Sequence, residues 1–450
     1  ILCHMEHHLA LSVSSRGMSL SQHACRGAYR TPFDQRLLAL VASAACLTSW
    51  QSPNGRAFST VLSQHRRRPA QLFLASRHGK ARRVLSRACV DREGEEHDPG
   101  REELAVEYCA EGEKVLSLKL AGGGELSVTR HEASEQDMPG GTQKSARQEW
   151  RVLSFQPEGS YGPEGALHQA VVKVVVEEPG LLRPRLRQRS DVLTQRYSRS
   201  MVSVVLATLE VLGRPVVSKS GVEPLRILCV GLGAGIVSSF LVNSLAHCEV
   251  DAVELEPAVV TAAIEAMGLE TGPRLRVVVD DGAAYASRVS ASGRVRYDAL
   301  LIDAFDAAGN TPAPLWTRDG GICQALTRGL LRKDGGVVAV NFLETVDVPE
   351  KIAAYRDALG AQGGGLGFSV RTLDYGYRVR KGADGSDQYE FFPAEDGAGN
   401  FIAVQTCGGR DGLKLDDLKA QLFKAGRAIT SAIGCKFDMA VLAVRGLRQW

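Results

Sequence analysis

The chain has 450 residues, of which 44% are hydrophobic, so it can bury the core of more than one ordinary domain. The formal net charge is +3, but residues 1–90 hold 13 Lys and Arg against two acids, and the remainder holds 41 basic and 49 acidic side chains, a net charge of −8. An acidic body lacks the electrostatic surface of a nucleic-acid-binding protein, so no nucleic-acid partner is expected.

Residues 1–90 are rich in Arg, Ser and Ala and nearly free of acids. This composition predicts a disordered tail of the targeting type, for a plastid or a mitochondrion. The apolar run Leu37–Leu47 is too short to cross a bilayer, which needs about 20 apolar residues, so no membrane span is expected. The alternatives are an untargeted disordered tail on a cytoplasmic protein and a mistranslated upstream region.

Ten cysteines are present, and no two of them have the C-x-x-C spacing that is typical of a zinc site. No metal site is therefore predicted. Five cysteines of the body lie in apolar stretches, and we expect most of them to be buried thiols in a reducing compartment. These are Cys229, Cys248, Cys323, Cys407 and Cys435.

Residues 100–180 are predicted to form a small β-rich domain that follows a charged linker at Glu93–Arg101. Two of its segments alternate in polarity on either side of a glycine-rich turn, which is the signal of a β-hairpin. The basic segment Pro179–Arg189 is predicted to be a connection. The predicted strands are Lys114–Leu120, Gly124–Arg130, Trp150–Phe155 and His168–Val176.

Residues 190–410 are predicted to form an α/β domain, introduced by a helix at Tyr197–Leu212 with apolar residues at helical spacing. Strands and helices then alternate, and several strands are near-continuously apolar, as in parallel strands buried on both faces. The predicted fold class is therefore α/β, a seven-stranded doubly wound Rossmann-like sheet preceded by a small β-rich domain. The seven strands are Arg226–Gly231, Glu249–Glu254, Leu275–Val279, Tyr297–Asp303, Gly336–Phe342, Phe368–Leu373 and Phe401–Thr406.

The helices between these strands follow from the same periodicity. Residues 411–450 are predicted to form C-terminal helices, at Leu413–Leu442, and the Gly- and Asp-rich segment Tyr375–Gly399 is predicted to be a lid or a disordered loop. The helices within the sheet region are Ala234–Ala246, Pro257–Met267, Gly282–Val289, Thr317–Leu331 and Pro349–Leu359.

Glycines and an acid follow the first two strands of this sheet. Gly231, Gly233 and Gly235 open a helix, and glycine lets the backbone turn tightly and approach a ligand. Glu254 ends the second strand about 20 residues further on, at the place of an acid that hydrogen-bonds ribose hydroxyls. The glycines form G-x-G-x-G and not the G-x-G-x-x-G of a nicotinamide-binding domain.

Two further strands end in acids. Asp281 and Gly282 follow the third strand, and Asp303 ends the fourth. Taken singly, Asp281 also suits a helix cap, and Glu254 suits a charge near a helix N-terminus. Ligands bind at this edge of open α/β sheets, and capping does not require the ribose-acid spacing. The set therefore predicts a nucleotide-type site.

The motifs resemble class I S-adenosylmethionine-dependent methyltransferases of the spermidine-synthase-like group. Within that group the chain is most similar to the family of elongation factor 1-alpha lysine and N-terminal methyltransferases (methyltransferase-like protein 13), over Trp150–Thr406. The segments that carry the resemblance are ILCVGLGAG (227–235), DAVELEP (251–257), VVDDGAAYA (278–286), YDALLIDAFD (297–306) and LLRKDGGVVAVNF (330–342).

The resemblance implies a methyltransferase-type Rossmann sheet and a cofactor, S-adenosylmethionine or its decarboxylated form. Gly231, Gly233 and Gly235 would line the methionine part of that cofactor. Glu254 would hold the ribose, and Leu255 would lie against the adenine.

The remaining site residues also follow from the resemblance. Asp281, with Gly282 next to it, would accept a hydrogen bond from the adenine amino group. Asp303 would lie beside the methionine moiety or the incoming amine, and Asp306, three residues on, is the candidate base or orienting acid. Asp303 and Asp306 are thus the predicted catalytic residues. Tyr197 is expected either to shape the acceptor pocket or to pack in the core.

The resemblance to spermidine synthases breaks at Ala234. Those enzymes have an acid at this position of the glycine turn, and it contacts the decarboxylated cofactor. Intact S-adenosylmethionine has a carboxylate that an acid would repel, so Ala234 favours methyl transfer. We therefore predict a methyltransferase whose partner is an amine-bearing acceptor: a protein lysine, a protein N-terminus or a small molecule. Two alternatives stay open: an aminopropyltransferase of polyamine synthesis, and a non-catalytic Rossmann-like binding module. The sequence carries no signal for oligomeric state.

Overall fold

A computed structural model describes most of the chain beyond residue 111. The predicted tail 1–90 and the linker Glu93–Arg101 lie outside the described residues, and their predicted states stay predictions. The described ranges are 112–133, 147–158, 167–177, 184–217, 223–306, 310–343, 348–360, 365–372, 375–381, 387–393, 400–409 and 413–450.

The first part of the described chain is an antiparallel sheet of five strands in sequential order. The predicted hairpin and the two strands after it are confirmed. The segment Pro179–Arg189, predicted as a connection, contains a fifth strand, because Leu186 and Gln188 turn inward while Arg185 and Arg187 face solvent. The strands are β1 (Glu113–Lys119), β2 (Glu125–Glu132), β3 (Arg147–Gln156), β4 (Leu167–Glu177) and β5 (Arg185–Gln188).

The rest of the described chain alternates strands and helices as predicted. It begins with helix α1 (Arg196–Val211), which is buried along most of its length. The following elements are β6 (Leu225–Val230), α2 (Ile236–Ser244), β7 (Cys248–Glu254), α3 (Pro257–Glu265), β8 (Leu275–Val279), α4 (Gly282–Ser292), β9 (Ala299–Ile302), α5 (Gly321–Thr327), β10 (Val337–Leu343), α6 (Val348–Gly360), β11 (Gly367–Arg371), β12 (Tyr375–Lys381), β13 (Asp387–Pro393), β14 (Asn400–Thr406), α7 (Leu415–Ile433), α8 (Met439–Leu442) and β15 (Arg448–Gln449).

The large sheet has the order β15-β11-β14-β10-β9-β6-β7-β8. Strands β6 to β10 pair in parallel, and β14 runs antiparallel between β10 and β11. The predicted seven-stranded, doubly wound sheet is confirmed, with the two-residue strand β15 added at its edge. The strand order reverses between β6 and β9, and open α/β sheets bind ligands at such a reversal.

Several predicted elements differ in extent from the observed ones. Helix α2 begins two residues later than predicted because Gly235 adopts a left-handed conformation, with φ +76°. The predicted helix Thr317–Leu331 is wrong over most of its length, since α5 covers only Gly321–Thr327 and Gly329 (φ +92°) prevents its continuation. The segment Tyr375–Gly399 is not simply a loop, because β12 and β13 pair within it as an antiparallel hairpin.

One hydrophobic core joins the small sheet to the large one. Inward residues of the small sheet, such as Val128 and Val172, belong to the same buried cluster as Val205 of α1 and Ile227 of β6. The predicted C-terminal helices are confirmed as α7 and α8, and Leu422 of α7 joins this cluster. In the described ranges no helix is both long and apolar enough to cross a membrane.

Candidate functional site

The carboxyl ends of the central strands meet at one edge of the sheet. The Gly231 N–H donates to the Val253 carbonyl at 2.9 Å, and the Asp303 N–H donates to the Val230 carbonyl at 2.9 Å. These hydrogen bonds extend the ladders that join β6 to β7 and β6 to β9. The glycine turn and Asp303 are therefore neighbours at the point where the strand order reverses.

The turn after β6 is a tight, left-handed backbone. Gly231, Gly233 and Gly235 all have positive φ, at +93°, +53° and +76°. A Cβ on Gly231 would lie 2.2 Å from the Asp303 carbonyl oxygen, whereas a Cβ on Gly233 would meet nothing within 4 Å. Gly231 is thus required by the close approach of β9, and Gly233 leaves open space above the turn. Their contact with the cofactor remains a prediction.

The Glu254 carboxylate is fixed to the glycine turn. Its Oε2 accepts from the Leu232 N–H at 2.9 Å, and its Oε1 accepts from the Glu256 N–H at 3.0 Å. A carboxylate has about four lone-pair positions, so two remain for further donors. Glu254 is half-buried. The arrangement suits a ribose diol, which presents two O–H groups to one acid.

An apolar surface and the small sheet border the Glu254 side of the site. Leu255 is 70% exposed, and Val279 at the end of β8 is 49% exposed. Glu256 caps α3 by accepting from Ala258 N–H, and its other oxygen accepts from the Ala121 N–H at 3.0 Å. Because Ala121 lies in the β1–β2 turn, the small sheet reaches the rim of the candidate site.

Asp281 and Gly282 lie at the end of β8. Asp281 accepts from the Ala284 N–H at 2.8 Å and so caps α4. Gly282 seats α4 against β6, since a Cβ there would lie 2.5 Å from Val230 Cγ1. The Asp280 N–H donates to the Glu254 carbonyl, which keeps this strand end beside the previous one. The structure thus shows the capping bond, and the adenine contact of Asp281 remains a prediction.

Asp303 has two polar partners on the α1 side of the sheet. Asn341 Nδ2 donates to Asp303 Oδ1 at 2.9 Å, and the Tyr197 hydroxyl also hydrogen-bonds Asp303. Burial raises the pKa of the Asp303 carboxyl, and these two hydrogen bonds lower it in part. Asp303 is half-buried at the sheet edge, and the net effect of its surroundings is an increased affinity for a proton.

Tyr197 therefore lies at the candidate site, in agreement with the interpretation that it shapes the acceptor pocket. Its hydroxyl donates to Gln195 Oε1 at 2.9 Å. Sequence reasoning missed Asn341 and Gln195. An amide in the otherwise apolar strand VVAVNF was a usable signal for Asn341, whereas Gln195 carries no local signal.

Asp306 occupies a different environment from Asp303. It is exposed, its carboxylate accepts from the Asn310 N–H at 2.9 Å, and its own N–H donates to the Asn310 carbonyl at 2.8 Å. Two hydrogen bonds thus join Asp306 to Asn310 after the end of β9. The catalytic role of Asp306 remains a prediction. The burial and hydrogen bonds of Asp303 make Asp303 the stronger candidate for the base.

The small sheet also holds the glycine turn. Gln188 Nε2 donates to the Ala234 carbonyl at 2.6 Å, and the Gln188 N–H donates to the Gly268 carbonyl at 3.0 Å. Sequence reasoning missed Gln188 because it lies in the segment predicted as a connection. The side chain that contacts the Ala234 backbone is therefore a neutral amide.

The cysteines among the described residues are mostly buried thiols. Cys229, Cys248, Cys323 and Cys407 are buried and Cys435 is half-buried, as the sequence predicted for most of them. Burial raises the pKa of the Cys229 thiol to about 12. Across the ranges that the structure covers, no group of three His, Cys, Asp or Glu side chains is placed to hold a metal ion.

Comparison with known proteins finds the two families that the motifs resemble. No family model matches the chain. The polyamine aminopropyltransferase of Vibrio vulnificus (strain CMCP6) is 32% identical over 138 residues, 31% of this chain and 44% of that protein. The eEF1A lysine and N-terminal methyltransferase of Homo sapiens is 32% identical over 82 residues, 18% of this chain and 12% of that protein. The predicted resemblance is confirmed, and the chain spans less than half the length of these curated relatives.

A probable spermidine synthase from Corynebacterium glutamicum ATCC 13032 is 13% identical, covers 72% of this chain and 88% of its own, and gives a TM-score of 0.44. The sequence similarity of the chain is to transferases of two kinds, an aminopropyltransferase and a methyltransferase.

Proposed function

We propose that the chain is an S-adenosylmethionine-dependent methyltransferase that acts on an amine-bearing acceptor, such as a protein lysine, a protein N-terminus or a small amine. One observation carries the proposal. At a single sheet edge, a left-handed glycine turn, the Glu254 carboxylate bound to that turn and the half-buried Asp303 converge at the reversal of strand order.

The residues at this edge fit the adenosyl cofactor. Glu254 keeps acceptor positions for ribose hydroxyls, and the exposed side chain of Leu255 offers an apolar surface to an adenine face. Gly233 leaves room above the turn for the methionine part. When bound, the cofactor supplies a methyl carbon that its sulfonium sulfur makes electrophilic.

Asp303 is the base in this proposal. An amine acceptor is an ammonium ion at neutral pH and must lose a proton before its nitrogen can attack. The Asp303 carboxylate takes the proton: the N–H bond breaks, an O–H bond forms, and the electron pair stays on nitrogen. With the cofactor bound, that pair would form the new N–C bond, and the S–C bond would break with its electrons on sulfur. The raised pKa of Asp303 favours the transfer.

The environment of the glycine turn supports methyl transfer over aminopropyl transfer. Ala234 is buried, and the neutral Gln188 amide contacts its carbonyl. An intact methionine carboxylate meets no acid from this position. The second candidate is an aminopropyltransferase with the decarboxylated cofactor, which the match over 138 residues to the Vibrio vulnificus protein favours.

Calorimetry with the two cofactors, followed by labelled-methyl transfer to an extract of the host, tests the proposal. We expect tighter binding of intact S-adenosylmethionine and transfer of label to an amine. Asp303→Asn should retain cofactor binding and lose transfer, whereas Asp319→Asn, an exposed acid beyond the site, should change neither. A clear preference for the decarboxylated cofactor would support the aminopropyltransferase, and absence of binding to either would support a non-catalytic module.

We also propose that residues 1–90 direct the protein to a plastid or a mitochondrion. The support is compositional: 13 basic side chains against two acids. A fluorescent protein fused behind residues 1–90 should enter an organelle, and one fused to residues 112–450 should not. A cytoplasmic signal from both fusions would contradict the proposal.

A further inference from the structure

The side chain of Gln195 is fixed in one orientation beside the candidate site. Its Nε2 donates to the Gln169 backbone carbonyl on β4 at 2.8 Å. A carbonyl oxygen only accepts, so the amide must present nitrogen there and turn Oε1 the other way. That Oε1 accepts from the Tyr197 hydroxyl at 2.9 Å. Gln195 is the N-cap residue of α1, yet its side chain makes no capping bond and is committed to Tyr197 instead.

The Tyr197 hydroxyl has one proton, and among the described residues two acceptors that bear on Asp303 lie beside it. One is Gln195 Oε1 and the other is the Asp303 carboxylate. An ionised carboxylate is the stronger acceptor and draws the phenolic proton toward itself. When Asp303 is protonated, it donates to the phenolic oxygen, and Tyr197 donates to Gln195. The chain of three groups is fully hydrogen-bonded only in this second arrangement.

We propose that Gln195 is a positioning residue that acts through Tyr197: by accepting a hydrogen bond from the Tyr197 hydroxyl, it stabilises the protonated form of Asp303, which is the form produced when an amine acceptor gives up its proton. The catalytic meaning of this chain rests on the proposed function, whereas the hydrogen-bond competition does not. The proton balance is that of the transfer step already described, with no further reactant.

The other groups that face Asp303 leave this competition intact. Asn341 of β10 donates to Oδ1 and carries no charge. Cys229 of β6 is a neutral thiol at ordinary pH, because burial raises its pKa to about 12. Asp306 is exposed, and its carboxylate accepts from the Asn310 N–H. Hydrogen bonding from Asn341 and Tyr197 is what favours the ionised form of Asp303.

Carbon-13 NMR of the full chain labelled at aspartate Cγ measures the titration of Asp303 directly, and Asp303→Asn identifies its resonance. In Gln195→Met the titration midpoint should fall by about half a pH unit or more, because Tyr197 is released to donate to the carboxylate. In Tyr197→Phe the midpoint should rise, because the donor is lost. Gln324→Met, the same change at an exposed position of α5, should leave it unchanged.

The double variant Gln195→Met/Tyr197→Phe shows whether Gln195 acts through Tyr197. Its midpoint should equal that of Tyr197→Phe, because Gln195 has no route to Asp303 without the hydroxyl. Melting temperatures verify that each variant is folded. An unchanged midpoint in Gln195→Met, a shift in the same direction as Tyr197→Phe, or a Gln195 effect that persists in the double variant would each overturn the proposal.

The titration requires neither cofactor nor turnover, so its result is separate from that of the methyl-transfer assay. If the Asp303 midpoint falls in Gln195→Met and rises in Tyr197→Phe but the protein transfers no methyl group, the hydrogen-bond chain is supported and the proposed function is rejected. Methyl transfer with an unmoved midpoint in Gln195→Met would retain the function and reject the role of Gln195.

Discussion

Replacing Gly231 with alanine tests the close packing of the glycine turn against β9. The new Cβ would lie 2.2 Å from the Asp303 carbonyl oxygen, at a backbone φ of +93°. A left-handed conformation costs an L-residue roughly 1–2 kcal/mol, and relieving an overpacked contact costs roughly 1–3 kcal/mol more. We therefore expect Gly231→Ala to lower the free energy of unfolding by about 2–5 kcal/mol.

Gly233→Ala is the matched control, two residues away in the same turn. Its φ is also positive, at +53°, but no atom lies within 4 Å of the added Cβ. Only the backbone cost applies, so we expect a loss of about 1–2 kcal/mol. Urea denaturation followed by circular dichroism measures both variants. Equal losses in the two would refute the inference that Gly231 is required by its contact with β9.

Two further predictions concern ionisable groups away from the glycine turn. Burial disfavours the charge of Asp191, but hydrogen bonds from Arg189 and Lys436 outweigh it and hold the Asp191 pKa well below its usual range. Its stabilising effect is therefore complete above about pH 4 and declines as the pH falls further, so the deficit in melting temperature of Asp191→Asn relative to wild type should be smaller at pH 3 than at pH 7 and should shrink further in stronger acid. The buried thiol of Cys229, with its pKa raised to about 12, should resist iodoacetamide at pH 8 in the folded protein, and the half-buried Cys435 should react sooner, as peptide mass spectrometry can show.

Both of these predictions have internal controls. Asp416→Asn, an exposed acid at the start of α7, should show no comparable dependence on pH. A deficit of Asp191→Asn that stays constant from pH 7 to pH 3 would contradict the ionic account. For the thiols, urea should expose all sites equally, and rapid labelling of Cys229 without urea would show that β6 is open to solvent.

The positions of the main strands along the chain and the parallel pairing of the central ones could be predicted from the sequence because buried parallel strands are continuous apolar runs. Strand β5 was not found because Arg185 and Arg187 make a four-residue strand look like a basic connection. The hairpin of β12 and β13 was not found because Gly and Asp are frequent around it. Helix α5 is shorter than its apolar pattern indicates, since Gly329 has a positive φ.

The residues of the candidate site also fall into two groups, those that could be predicted from the sequence and those that could not. Its glycines and acids have fixed spacing along the chain, so their placement at one sheet edge could be predicted. Gln188 and Asn341 act through contacts with Ala234 and Asp303, which are 46 and 38 residues away in sequence. Such contacts depend on the folded register of the strands and leave no local pattern. The same holds for Gln195, whose role depends on the β4 carbonyl that orients it.

The affinity of S-adenosylmethionine for Glu254→Gln, measured by calorimetry, tests the central claim most directly. Glu249→Gln on the same strand is the control, because Glu249 lies in a surface ion pair with Arg226. Losing hydrogen bonds to a charged acceptor, worth about 1.5–3 kcal/mol, should weaken binding roughly 10- to 100-fold in Glu254→Gln and leave Glu249→Gln like wild type. Equal affinity in all three proteins, or no binding by the wild type, would contradict an adenosyl site at this sheet edge.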